Sequence, residues 1–167
     1  ASIENLSDKL ARDLAWYIKN GHLVVDRDGS VWGSGEPGKR QPPIICWSFD
    51  ACTVHRGMKV TSFGYKIVNL INCPNNSPFY FHEFALLELG DSHENMRTHA
   101  ASPLAQVNAI MKESKIQDVE LGDGRVDVVN VISLACADLA AMHAAFGQGG
   151  SNMAFPCPKC LVHQDDL

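Results

Sequence analysis

Two aspartates, each set where an apolar run of strand-forming residues gives out, are the groups best placed to do chemistry. Asp50 follows Ile44-Ile-Cys-Trp-Ser-Phe49, and Asp138 follows the β-branched run that begins at Val126. Carboxylates at the ends of separate buried strands suit a divalent-metal site, because Mg²⁺ and Mn²⁺ take hard oxygen ligands. A predicted helix from Asp138 to Phe146 then runs through Gly147-Gln-Gly-Gly150 towards Cys157-Pro-Lys-Cys160. The two-residue spacing lets both sulfurs reach one tetrahedral Zn²⁺ at about 2.3 Å, with His163 near enough in sequence to be a third ligand. Acid pairs of this kind serve in-line displacement at phosphorus, where two metal ions about 3.5–4 Å apart are held between shared carboxylates.

Each group also has a plainer reading. Asp138 is a good N-cap for its helix, worth roughly 1 kcal/mol. Asp50, followed by Ala-Cys-Thr, could satisfy turn amides with its own side chain. The cysteine pair could be free thiols, and Asp91-Ser-His-Glu94 could be a solvated acidic turn or a metal-binding cluster. His55, Arg56 and Lys59 form the only compact basic group near Asp50, suited either to a phosphate backbone or to a solvated hairpin tip. Cys46, Cys52, Cys73 and Cys136 lie among apolar residues, where packing accounts for them.

The elements that must position these groups are legible from periodicity. Ile3, Leu6, Leu10, Leu14, Tyr17 and Ile18 recur at helical spacing before the stop signal Asn20-Gly21. His22–Val25 and Val31-Trp32 flank Asp28-Gly29, a hairpin signal. Residues 33–43, with three Gly and three Pro, read as a linker. Strands are predicted over 44–49, 60–70 and 81–89, a helix over 103–115 and a strand over 126–134, followed by the helix from Asp138. The chain thus divides into an N-terminal helix, hairpin and linker (1–43), an α/β core (44–150) and a CxxC segment (151–167).

Bulk properties narrow the classes. The chain has 167 residues, 46% hydrophobic and 20% charged, as an ordinary globular domain would. No apolar run suffices to cross a bilayer, and residues 1–20 lack a signal-peptide pattern, so no membrane association is expected. Six scattered cysteines suggest a reducing compartment. A net charge of −5 excludes gripping nucleic acid by bulk electrostatics, so any such role must rest on a local site.

From about Ile44 to Cys160 the sequence resembles the catalytic core of DDE transposases, the group containing the Transib transposases and the V(D)J recombinase catalytic subunit. Ser48-Phe-Asp50 resembles that family's first catalytic acid. Leu86-Leu-Glu-Leu-Gly-Asp91-Ser-His-Glu94 resembles its acidic third-strand exit. Asp138 to Phe146, Gly147, Ser151 and Cys157-x-x-Cys160 resemble its second acid, helix and zinc-binding thiolates. The resemblance implies a ribonuclease-H-like mixed sheet of three antiparallel strands plus a parallel fourth, in order 3-2-1-4, with flanking helices and a zinc-knuckle-like CxxC. It further implies catalytic Asp50 and Asp138 holding Mg²⁺ or Mn²⁺, Zn²⁺ on Cys157, Cys160 and His163, DNA as substrate, a homo-oligomeric full-length protein and a nuclear location. The family's third acid, a Glu from a later helix, and its downstream His zinc ligands have no counterpart here, which implies a fragment or truncated relative. Two alternatives stand beside this expectation: a non-catalytic binding module descended from such a domain, and a ribonuclease-H-like nuclease without strand transfer.

Overall fold

The computed structural model describes residues 5–36, 38–55, 57–73, 80–88 and 92–136 of the chain. Helix α1 (Leu6–Lys19) forms where the sequence predicts it. The Asn5 side chain caps it by accepting from Ser7 N, Asp8 sits in its first turn and Lys19 in its last. Another first-turn amide, Leu6 N, donates to Gln106 Oε1 at 2.8 Å. The chain leaves the helix through Gly21, whose φ of +72° suits glycine. Strands β1 (Val24–Val25) and β2 (Val31–Trp32) make the small hairpin expected around Asp28-Gly29.

Three antiparallel strands follow: β3 (Ile44–His55), β4 (Met58–Ile67) and β5 (Phe81–Leu87). Then come α2 (His93–His99), α3 (Ala101–Glu113), β6 (Lys115–Glu120), β7 (Val126–Asn130) and β8 (Ile132–Cys136). The central sheet has order β5-β4-β3-β8, with β8 parallel to β3 and the other pairs antiparallel. It is therefore a four-stranded mixed sheet with one parallel pair, in the 3-2-1-4 order expected, within an α/β architecture with flanking helices.

Several boundaries differ from the sequence reading, β4 covering 58–67 where 60–70 is expected and β5 ending at Leu87 where residue 89 is expected. Strand β3 does not stop at Phe49; it runs six residues further, because Thr53 and Val54 favour extension and β4 pairs with it up to His55↔Met58. Gly57, just before β4, has φ +83°. The single strand expected over 126–134 is two strands in two sheets. β7 folds back on β6, Val131 donates to Ser114 O, and β8 then enters the central sheet beside β3. Helix α3 begins two residues early, directly after α2, and stops at Ser114 in a left-handed conformation (φ 54°).

Helices α1, α2 and α3 cover one face of the central sheet. Alternate residues Ile45, Trp47, Tyr65 and Ile67 point into a core shared with Leu6, Leu10, Leu14, Tyr17 and Ile18 of α1 and Val107 and Ile110 of α3. The β6–β7 hairpin adds Ile116, Val119 and Val129 to the same core. A second cluster joins Phe63 of β4 to Met96 and Ala100 at α2. Side chains on the opposite sheet face remain open: Phe81, Leu86, Ile132 and Leu134 are all exposed. No helix among the described residues is long and apolar enough to cross a membrane.

Candidate functional site

The site builds on the β3–β8 pair. Ile44 pairs with Ile132, and the register runs without a break to Ser48↔Cys136, a constant separation of 88 positions. Asp50 lies two residues further along β3, on the face that carries Cys46 and Ser48. It is not a strand-end acid satisfying a turn; it sits within the strand, pairs with Ser62 of β4 and is exposed. Directly opposed residues on antiparallel strands share a face, so the Ser62 side chain neighbours Asp50. Ser62 Oγ donates to Glu83 Oε1 of β5 at 2.5 Å. A row of oxygen groups, Asp50, Ser62 and Glu83, thus crosses three strands on the sheet's open face.

Glu83 escapes a reading of the sequence because only strand pairing brings it here. A one-residue irregularity between Phe63 and Gly64 sets β5 so that Glu83 lies opposite Gly64. Asp138, Cys157, Cys160 and His163 lie outside the described residues, as do Arg56 and Asp91. Ser92 of the acidic Asp91–Glu94 run is the N-cap of α2, accepting from Asn95 N at 3.3 Å, and Glu94 occupies that helix's first turn. Helix capping thus accounts for Ser92 and Glu94. Lys59 is exposed near the β3–β4 turn. Among the described residues, no three His, Cys, Asp or Glu converge as metal ligands would.

A second polar cluster, unsuspected from sequence, lies on the covered face. Asp13 of α1 accepts on one oxygen from Lys9 (3.2 Å), from the Tyr65 hydroxyl and from His82 Nδ1 (3.1 Å). Tyr17 donates to His82 Nε2 at 2.7 Å, the tautomer that this network requires of a neutral imidazole. Burial lowers the His82 pKa; nearby Asp13 opposes the shift and Lys9 adds to it. Burial likewise raises the Tyr17 pKa, helped by the charges of Asp13, Cys73 and Tyr80. Next to it, Cys73 Sγ lies 3.1 Å from His22 Nδ1, and its hydrogen bond with Tyr80 raises the Tyr80 pKa. These bonds fasten α1 to β4 and β5, so the cluster reads as a structural tie. No local sequence pattern announces it, because Asp13 and His82 stand 69 positions apart in the chain.

Neither a protein-family model nor a curated protein sequence matches this chain.

Proposed function

We propose that this chain carries the catalytic-core chemistry of a DDE-type transposase: metal-dependent cleavage and transfer of DNA strands, with Asp50 and Asp138 as the paired acids. One observation carries the reading. The register of the parallel pair is 88 positions at every described step, and 88 is also the separation of Asp50 from Asp138. If that register continued for two residues beyond Cys136, the two acids would face each other across the strand pair. The 3-2-1-4 strand order supports a ribonuclease-H-like fold in the same way.

The donor set fits hard divalent cations, since Asp50 is an exposed carboxylate next to the Ser62 and Glu83 oxygens. Asp50 and Asp138 would hold Mg²⁺ or Mn²⁺, which supplies polarisation of the phosphate and activation of the attacking oxygen when bound. The chain's own contribution would be placement: β3 holds the Asp50 carboxylate, and the helix-packed face behind it supports that backbone. Cys157, Cys160 and His163 would hold Zn²⁺ as a structural knuckle. The reading takes DNA as partner, a homo-oligomeric full-length protein and the nucleus as its place.

A non-catalytic binding module is the second reading, favoured by the exposed Leu86, Ile132 and Leu134 on the same face as Asp50. Nicking of a labelled DNA duplex in Mn²⁺, by this chain and by any longer protein that contains it, separates the two. Loss of nicking in both Asp50→Asn and Asp138→Asn supports the enzyme. Nicking that survives both substitutions removes the catalytic assignment.

A further inference from the structure

Where α1 packs beside β6, two open hollows of about 400 and 300 Å³ adjoin, both lined by Arg12, Ala15 and Glu120. They form one trough along the helix, of the volume that small ligands occupy. Its two ends differ: Trp16, Lys19 and Gly122 complete one, Asp8 and Asp118 the other. The helical rise sets Asp8 and Lys19 about 16 Å apart. Trp16 is 51% exposed, whereas Leu10, Leu14, Tyr17 and Ile18 of the same helix are buried. Its indole is nevertheless held in place, stacked on His22 at 5.8 Å and edge-on to Tyr17 at 5.2 Å. An exposed ring already positioned in this way offers contact area at little cost in side-chain entropy.

The charges along the trough are sorted by sign. Lys19 stands beside the ring, Asp8 and Asp118 at the far end, with Arg12 and Glu120 between them. All three end charges are exposed, and no ion pair among the described residues engages them. The helix dipole accounts for Asp8 and Lys19 at the two ends of α1, but not for Asp118, which β6 supplies. We propose that the trough binds a short extended peptide, cationic at its N-terminal end and closing on an aromatic residue with a free carboxylate. The aromatic ring packs on Trp16, the carboxylate meets Lys19, and the cationic end meets Asp8 and Asp118. Five extended residues of about 3.3 Å each span the distance. A nucleic-acid strand fits worse, because its phosphates would run past Asp8, Asp118 and Glu120. The site shares no residue with the open sheet face and stands whether or not the chain cleaves DNA.

The test is an NMR titration of the ¹⁵N-labelled full chain with Lys-Ala-Gly-Ala-Phe, both termini free, beside its reversed sequence Phe-Ala-Gly-Ala-Lys. The Trp16 indole cross-peak, identified by its loss in Trp16→Phe, and the Gly122 amide should move together and saturably. The Trp32 and Trp47 indoles should hold their places. The reversed peptide and the C-terminal amide should each bind about fivefold more weakly, the upper range for one exposed ion pair. Lys19→Gln should erase the difference between acid and amide, and Asp8→Asn combined with Asp118→Asn should weaken the peptide by a similar factor. Trp16→Ala should abolish saturation at Gly122. A linear response, equal affinity for the reversed peptide, or saturation kept in a folded Trp16→Ala would overturn the proposal. So would a thymidine oligonucleotide that saturates the same peaks when the peptide does not. The wild-type titrations decide alone if a variant fails to fold.

Discussion

The two faces of the central sheet differ in almost every physical respect. The covered face holds Ile45, Trp47, Tyr65 and Ile67 against α1 and α3, each no more than 3% exposed, with a dense aromatic set around them. The open face carries short or polar side chains in its middle, Ser48, Asp50, Ser62 and Glu83, and exposed apolar groups at its margins. Stability therefore resides on one side of β3, and the groups capable of chemistry reside on the other. Because successive residues of a strand alternate sides, one strand serves both purposes: Trp47 and Phe49 anchor it while Ser48 and Asp50 face outward.

This contrast can be broken most forcefully in the core. Leu10→Ala and Ile45→Ala should each cost about 2–5 kcal/mol in urea unfolding, whereas Leu134→Ala on the open face should stay within about 0.5 kcal/mol. Comparable losses on both faces would show that the open face is covered. Next in size is the tie between α1 and the sheet. Asp13→Ala leaves Lys9, Tyr65 and His82 without their shared acceptor and should cost about 1–3 kcal/mol, read from the same unfolding curves.

The pH dependence of that tie has a definite sign. His82 is faced by Asp13, Lys9 and Tyr17 from α1 and by Tyr65 from β4, and burial sets its folded pKa below the unfolded value of about 6.5. The unfolded chain thus takes up the proton first as pH falls. The stabilisation is complete above the unfolded pKa and is lost as pH drops through the folded one. Urea midpoints should be lower at pH 5.5 than at pH 7.5, and His82→Asn should shrink the difference. The smallest effect concerns the N-cap of α1: Asn5→Ala should cost about 1 kcal/mol, measured by thermal unfolding.

Much of the covered face is legible in the sequence, because helical and strand periodicity report which side is buried. Helix α1 announces itself through Leu6, Leu10 and Leu14 and its Asn20-Gly21 stop. The central strands announce themselves through apolar runs, and their order follows from the sequence of elements. The β6 strand hides because Gln117 and Asp118 interrupt its pattern, Asp118 adopting φ 57° at an irregularity in the pairing. The seven-residue α2 is too short to show a stripe. The break at Val131 is set by pairing with Ser114 and β3, which no local signal encodes. On the open face the sequence supplies Asp50 by its type and position, but Glu83 reaches the site only through strand register. The Asp13–His82–Tyr17 network is likewise a product of tertiary assembly.

The central claim, that Asp50 and Asp138 act as one metal site, is met most directly by Mn²⁺ titration calorimetry on the chain, its two single variants and the double variant. Shared ligation predicts saturable Mn²⁺ binding that Asp50→Asn and Asp138→Asn each weaken severely, the double variant losing little more. Binding indifferent to either substitution, or losses that simply add, would contradict a common site.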